Sequence, residues 1–380
     1  MSKGSVMDAN ALIVGAGPAG TAAALALLNV GFAVTIMDHT PFLRHRPGET
    51  LPPAIEPLLA RLDASQLLRD TGYLRHEGHW VDWATDKVSY SAFGNDAKGP
   101  WQGIQAPRDD WDQRLLALVI ERGARFVQRS PHGLRWERDG LIVFDDDAIP
   151  TGAFVVDCSG TSRWLARKLD IPLHRYSRAL IARYGYLRGD LPASSHLPMI
   201  RAETGGWAWL ARVGPQRFHW TRVSTPECTQ DKNSTPDEFK SMTLERSYGA
   251  DVTWRLLSQT AGRRWFVAGD AAAVLDPSSS HGVLRAMMSG MMAAHLIAAV
   301  SQQLMPDTEA ATFYHRWLGN WFEHDAHKMR NAYLEGGLFD PVAASCDRSR
   351  SIHRRRTSRS YTSERWPLSS VALGTTNELS

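Results

Sequence analysis

Cysteine is scarce in this chain: Cys158, Cys228 and Cys346 stand far apart among 380 residues, with no C-x-x-C pair and no His/Cys ligand spacing. A disulfide scaffold and a zinc module are therefore excluded, and reduced thiols in a cytoplasmic protein are expected. Long apolar runs are lacking too. The longest, residues 287–300, is broken by Gly290 and His295 and is read as too short to span a bilayer. The first strand begins near residue 11, which leaves no room for a signal peptide. Charge of one sign is equally sparse. The formal +3 arises in the tail, where residues 346–380 carry seven arginines and three acids; the rest balances 36 basic against 37 acidic residues. That body has no global basic signature, so no nucleic acid is expected as a partner.

Tryptophan, by contrast, is plentiful, with fourteen residues. Seven fall in two central stretches: Trp80, Trp83, Trp101 and Trp111, then Trp207, Trp209 and Trp220. Either an aromatic-lined pocket or aromatic core packing is expected there.

The chain is organised around Ala11-Leu-Ile-Val-Gly15-Ala-Gly17-Pro18-Ala19-Gly20. Four apolar residues read as a buried strand, followed by a Gly-x-Gly-x-x-Gly turn and an Ala/Leu-rich helix over residues 21–28. Gly15 turns the chain, Gly17 lets the backbone approach a pyrophosphate, and Gly20 lets helix and strand pack closely. The helix start offers N–H groups and a positive dipole end to phosphate. A second strand over residues 33–37 ends at Asp38, eighteen residues past Gly20, where an acid can bind a ribose hydroxyl. Alone, this pattern allows NAD, NADP or FAD.

Further along, Pro and Gly density makes residues 42–53 a loop. Short helices are expected at 54–62 and 65–68, strands and turns over 78–105, a helix over 109–122 and a strand over 124–128. Asp139-Gly140 marks a hairpin, and residues 154–157 form a short buried strand. Residues 176–223 read as an antiparallel sheet. Residues 226–250 are polar, with a helix from Pro236. A strand over 264–268 leads through a loop to a long helix from Gly282, and a last helix covers 308–335. The Ser/Arg-rich tail is expected to be disordered, or out of frame beyond about residue 344; a basic arm for RNA or membrane is the other reading.

These residues carry a resemblance. Gly15-Ala-Gly17-Pro18-Ala19-Gly20 with Asp38, then Arg46-Pro-Gly48-Glu49, Arg108-Asp-Asp-Trp111-Asp112, Asp157-Cys158-Ser159-Gly160 and Gly269-Asp270…Pro277…Gly282-Val283 come in the order seen in single-domain flavin-dependent monooxygenases and halogenases. The chain resembles that superfamily over most of residues 11–300. The resemblance implies FAD as cofactor, with Gly15, Gly17, Pro18, Ala19, Gly20 and Asp38 at its ADP half. Arg46 and Arg108 would lie beside it and Gly160 near the adenine. Gly269 and Asp270 would take the ribityl chain, while Pro277, Gly282 and Val283 bring a helix N-terminus to the flavin ring. A reduced flavin carries negative charge near N1, which such a helix end stabilises.

The implied reaction is oxygen transfer to an aromatic ring through a flavin hydroperoxide, the substrate being an indole or tryptophan, free or within a peptide or protein. Halogenases share Gly48-Glu49 and a W-x-W-x-I-P motif. Here Gly206-Trp207-Ala-Trp209 is followed by Ala211-Arg212, and no lysine occurs between Glu49 and Lys87. The remaining pattern resembles halogenase-like maturases of tryptophylquinone biogenesis. Flavin-dependent halogenation and hydroxylation of a small aromatic metabolite are the alternatives. So are a non-oxygenating reductase and a protein that binds RNA through its tail. Candidate catalytic residues are His281, as proton relay or mere backbone partner; Trp209, as pocket wall or core; and Glu49, as base or as brace for Arg46. No metal site is expected, His324 and His327 on the last helix notwithstanding. Electrons would come from a partner flavin reductase or from NAD(P)H.

The expected fold class is α/β: a discontinuous Rossmann-like FAD-binding domain (1–75, 104–172 and 252–305) with an inserted β-rich substrate domain (76–103 and 173–251). The C-terminal helix covers 306–340 and the basic tail 341–380. The long helix after Gly282 is expected to join the two domains.

Overall fold

Leu12, Ile13 and Val14 are buried on both faces of the strand Asn10–Val14, the mark of a strand covered on both sides of a parallel sheet. The computed structural model describes residues 9–39, 46–69, 71–83, 88–136, 142–144, 146–150, 153–191, 195–227, 235–236 and 239–342. Asn10–Val14 lies inside a six-stranded sheet ordered Arg125–Val127, Ala33–Met37, Asn10–Val14, Phe154–Asp157, Trp265–Val267, Ala261–Gly262. The first five strands run parallel and the last turns back antiparallel. This is the doubly wound layer that a dinucleotide site requires.

Among the described residues six α-helices accompany the strands: α1 Pro18–Leu28, α2 Ile55–Arg61, α3 Arg108–Glu121, α4 Trp164–Lys168, α5 Gly282–Ser301 and α6 Asp307–Glu335. Pro18 occupies the first position of α1, where its missing N–H costs nothing. The alanines of α1 leave its surface thin, and α5 packs directly on it. At Gly290 a Cβ would stand 2.1 Å from Ala19 O, so the two backbones touch.

A seven-stranded sheet forms the second layer, ordered Thr243–Asp251, Ile181–Arg188, Arg217–Ser224, Gly206–Gly214, Met199–Glu203, Gly78–Asp82, Ser89–Ala92. Within residues 176–223 the strands pair antiparallel, as expected; Met199–Glu203 also pairs parallel with Gly78–Asp82, from outside that stretch. The two strands come from distant parts of the chain, and no hairpin dictates their relative direction. One expectation is corrected. Residues 243–251 form an edge strand rather than part of a polar helical region; an edge strand open to water need not alternate apolar and polar. Residues 237–238, the hairpin turn at 139–140, Lys87, Cys228, Cys346 and the basic tail lie outside the described residues.

The apolar run at 287–300 was expected to be too short for a bilayer. The helix holding it, α5, has twenty residues and is long and apolar enough to cross one by length and composition, because 282–286 extend the run. Half of that stretch is buried inside the protein. The last helix also links the two layers. α6 reaches both: Tyr314 Oη donates to Val267 O (3.0 Å) in the first sheet, and Trp83 Nε1 from beside the second donates to Ala332 O (2.7 Å) near its far end.

Candidate active site

The glycine loop separates packing glycines from open ones. Gly15 has φ +106°, and a Cβ there would meet Cys158 O at 2.4 Å; at Gly20 it would meet Gly15 O at 1.9 Å. Both positions are closed by backbone. At Gly17, Gly160 and Gly282 a Cβ would meet nothing within 4 Å, so these are the places where a ligand can reach the main chain. Gly269 (φ +61°) sits over α1, its would-be Cβ 3.0 Å from that of Ala19. Asp38 is buried with Oδ2 accepting from Ala16 N–H at 2.7 Å. It braces the loop, which the ribose role expected of it did not include.

A second convergence lies alongside. Gly48 (φ +113°) fits between Arg108 and Val283, its would-be Cβ 3.3 Å from Arg108 Nη1 and 3.4 Å from Val283 Cγ2. Arg108 is buried. It donates to both Asp112 oxygens (2.9 and 2.8 Å) and to Pro47 O (2.9 Å). Burial works against its charge, but Asp112, Glu49 and Asp270 hold its pKa above the usual value. Asp270 is reached by solvent, yet it is surrounded at depth by protein atoms; this raises its carboxyl above the ordinary range while Arg108, Arg255 and Arg46 pull it back. Arg46 itself is exposed. Asp270 and Gly282 line one crevice together with Trp317 and Trp321 of α6. Pro277 opens a short 3-10 turn, capped by Asp276, that leads into α5.

Open backbone at Gly17, Gly160 and Gly282, a deep accessible acid at Asp270 and the α5 N-terminus together fit a dinucleotide whose far end is an electron-rich ring. A nicotinamide would leave the second half of these groups unused.

The three catalytic candidates are not brought onto one another. Glu49 is buried; Oε2 accepts from Gly48 N–H at 2.9 Å and Oε1 from the Tyr186 hydroxyl. His219 Nε2 stands 3.1 Å from Glu49 Oε2 without hydrogen-bond alignment. Glu49 thus ties its loop to the seven-stranded sheet rather than to Arg46, because the sheet surface below it is richer in donors. Burial, and secondarily Glu49, raise the Tyr186 phenol, and burial keeps His219 neutral. Trp209 Nε1 donates to Thr50 Oγ1 at 3.1 Å. The charged groups that act on His281 are Arg285 of α5 and Asp325 and Lys328 of α6, which places it on the α6 side of its loop. Burial, then Arg285, push its pKa down to about 4. It is a weak base, suited to hydrogen bonding more than to proton uptake.

No protein-family model matches the chain. Among curated proteins it is similar to tryptophan 2-halogenase of Chondromyces crocatus, 24% identical over 380 residues that span 87% of this chain and 67% of that one. It is also similar to menaquinone reductase of Mycolicibacterium smegmatis, 26% identical, covering 77% and 76%. Among solved structures, the flavin-dependent halogenase CmlS superposes with TM-score 0.77 at 20% identity, over 89% of this chain and 66% of that one. QhpG, a peptidyl tryptophan dihydroxylase essential for tryptophylquinone cofactor biogenesis, does so with TM-score 0.65 at 19% identity, over 87% and 76%. The chain spans about two thirds of the length of these two halogenases. In sequence and in fold it is thus similar to flavin-dependent halogenases.

The protein also carries a buried network that sequence reasoning missed. Asp276 Oδ2 accepts from Trp254 Nε1 (2.7 Å) and from the Tyr333 hydroxyl (2.9 Å), and Oδ1 accepts from Ser278 N–H (3.0 Å). Trp207 Nε1 donates in turn to Tyr333 Oη (2.7 Å). The loop that delivers Gly282 is thereby pinned to the seven-stranded sheet and to α6. Trp207 and the Asp276-Pro277 pair were visible signals; their connection was not.

His281 yields a pH prediction. Its folded pKa lies below the ordinary 6.5, so the stability it contributes is complete above pH 6.5 and is lost as pH falls towards 4. Denaturant titrations of His281→Asn against the parent should show a shallower pH slope in that window, by up to about 1.4 kcal/mol per pH unit for one proton. Equal slopes would show that His281 is not neutral in the fold.

Proposed function

We propose that this chain is an FAD-dependent monooxygenase acting on an aromatic ring of indole or tryptophan type, carried by a small molecule or by a peptide or protein. Residues 1–75, 104–172 and 252–305 would hold FAD, and 76–103 with 173–251 would face the substrate. Gly15, Gly17, Pro18, Ala19 and Gly20 would take the pyrophosphate end beside the loop that Asp38 braces, and Gly160 would take the adenosine side. Gly269 and Asp270 would take the ribityl hydroxyls, with Arg46 and Arg108 adding positive charge. Pro277, Gly282 and Val283 would present the α5 N-terminus to the ring. When reduced, FAD supplies the two electrons that let one atom of dioxygen enter the substrate while the other leaves as water.

The observation that favours oxygenation is the strand at Ala211-Arg212. Where the halogenase motif has Ile-Pro, strand Gly206–Gly214 keeps its pairing, with Ala211 opposite His219 and Arg212 opposite Phe218, and its register shifts only beyond Arg212. A proline cannot donate from a central strand, and the paired Arg212 in its place supports the oxygenase reading. Halogenation is the second reading, favoured by the halogenase relatives.

The test is turnover of the flavin-loaded enzyme under isotopically labelled dioxygen, with and without halide. A flavin reductase or NAD(P)H serves as electron source. Label should enter the aromatic product regardless of halide. A halide-dependent product overturns the reading in favour of halogenation, and anaerobic turnover in favour of a reductase.

A further inference from the structure

Four arginines gather where stability gives no reason for them. Leu173–Arg175 and Arg255–Leu257 pair antiparallel, with Arg175 directly opposite Arg255. Opposed residues share a face of the sheet, and like charges set opposite each other destabilise it. Arg163 adds a third charge from a left-handed backbone, φ +47°, which is costly for any residue but glycine. Arg167 follows four residues later, in the last turn of α4. Burial, then the charges of Arg167, Arg255 and Arg175, push the Arg163 pKa down, so all four lie within electrostatic reach. Against them stands Asp251, which pairs with Arg255 at 2.9 Å and is also acted on by Arg175. Among the described residues, the guanidinium groups of Arg163, Arg167 and Arg175 make no hydrogen bond or ion pair.

The cluster borders the cofactor cleft. Arg163 N–H donates to Gly160 O at 3.0 Å, in the same turn as the open backbone at Gly160. That turn, Gly160–Ser162, packs beside Gly269–Ala271, and the Arg255 charge reaches Asp270. Gly160 stands at the adenosine side and Asp270 at the ribityl chain, and in FAD the pyrophosphate joins those two parts. The arginines therefore flank the path of the charged group of the dinucleotide. Arg167 and Arg175 are exposed and Arg255 is buried, so the positive charge runs from solvent inward.

We propose that Arg163, Arg167, Arg175 and Arg255 form a capture rim that steers the pyrophosphate of incoming FAD into its cleft. This rests on the FAD sites assigned above. Charge of one sign along a low-dielectric cleft speeds encounter with the opposite charge by ~10- to 1,000-fold at low salt. The outer charges act on capture, while retention falls to the glycine loop. Stopped-flow association with the flavin-stripped, full-length chain tests this. Riboflavin, the same ring and ribityl chain without phosphate, is the control. The association rate constant of FAD should fall about tenfold between roughly 20 and 300 mM salt, while that of riboflavin stays constant. Joint Arg167→Glu and Arg175→Glu should slow FAD association about tenfold at low salt, leaving FAD dissociation and the melting temperature unchanged. FAD association that ignores salt overturns the proposal, and this arm needs no variant. A loss in dissociation instead of association also overturns it and makes the arginines ordinary phosphate ligands. Steered capture by a protein that oxygenates nothing counts against the functional reading alone. Oxygenation by a protein whose FAD capture ignores salt counts against the rim alone.

Discussion

Replacing Gly20 with valine should give a protein that purifies without flavin and unfolds several degrees below the parent. A first Cβ at this position would lie 1.9 Å from Gly15 O and 3.1 Å from Ile13 Cγ2. The oxygen belongs to the backbone of the loop itself, so no side-chain rotation relieves the overlap. α1 must lift from the sheet or the loop must open. Overpacking of this kind costs about 3 kcal/mol at the upper end of the usual range, and the displaced helix start takes its phosphate-facing geometry with it. Gly17→Ala is the contrast. Its methyl enters open space, so thermal stability should hold while FAD affinity falls. Flavin absorbance after gel filtration, read beside a thermal melt, separates the two outcomes. If both variants melt like the parent and retain FAD, the loop is not the cofactor's anchor.

The second large effect is expected at Asp276. Asp276→Ala strips the acceptor from Trp254 Nε1, the Tyr333 hydroxyl and Ser278 N–H, all of them held by this one buried carboxylate. Leaving such donors bare in a site with no water access should cost on the order of 4 kcal/mol. The loss should be strongly non-additive with Tyr333→Phe, because both changes break the same link between α6 and the 276–282 loop. Denaturant midpoints of the two single variants and the double variant measure this. Simple additivity would mean that the network is a set of independent contacts.

How far the chain could be read varied with the distance between partners. The glycine loop was legible because its constraints lie within six residues of each other, from Gly15 to Gly20. The parallel strands at 33–37 and 154–157 were legible because burial on both faces makes each a continuous apolar run. Glu49 was not, since its partners Tyr186 and His219 sit on a sheet formed much later in the chain. The Asp276 network failed for the same reason: Trp207, Trp254 and Tyr333 come from three separate elements. Thr243–Asp251 was misread because an edge strand exposed on both sides has no alternation to detect. α5 was underestimated because Arg285 interrupts its apolar flank, although that side chain turns to an ion pair with Asp325 at 2.7 Å.

The order of the six-stranded sheet also matters while the protein is being made. Asn10–Val14 gains its neighbour Ala33–Met37 almost at once, but the strand on its other side, Phe154–Asp157, leaves the ribosome about 140 residues later. At the usual pace of elongation the nascent chain carries a bare, largely apolar strand edge for on the order of ten seconds. Such an edge can pair with another copy of itself. The yield of soluble protein should therefore respond to translation rate and to chaperone supply more than to the stability of the finished fold.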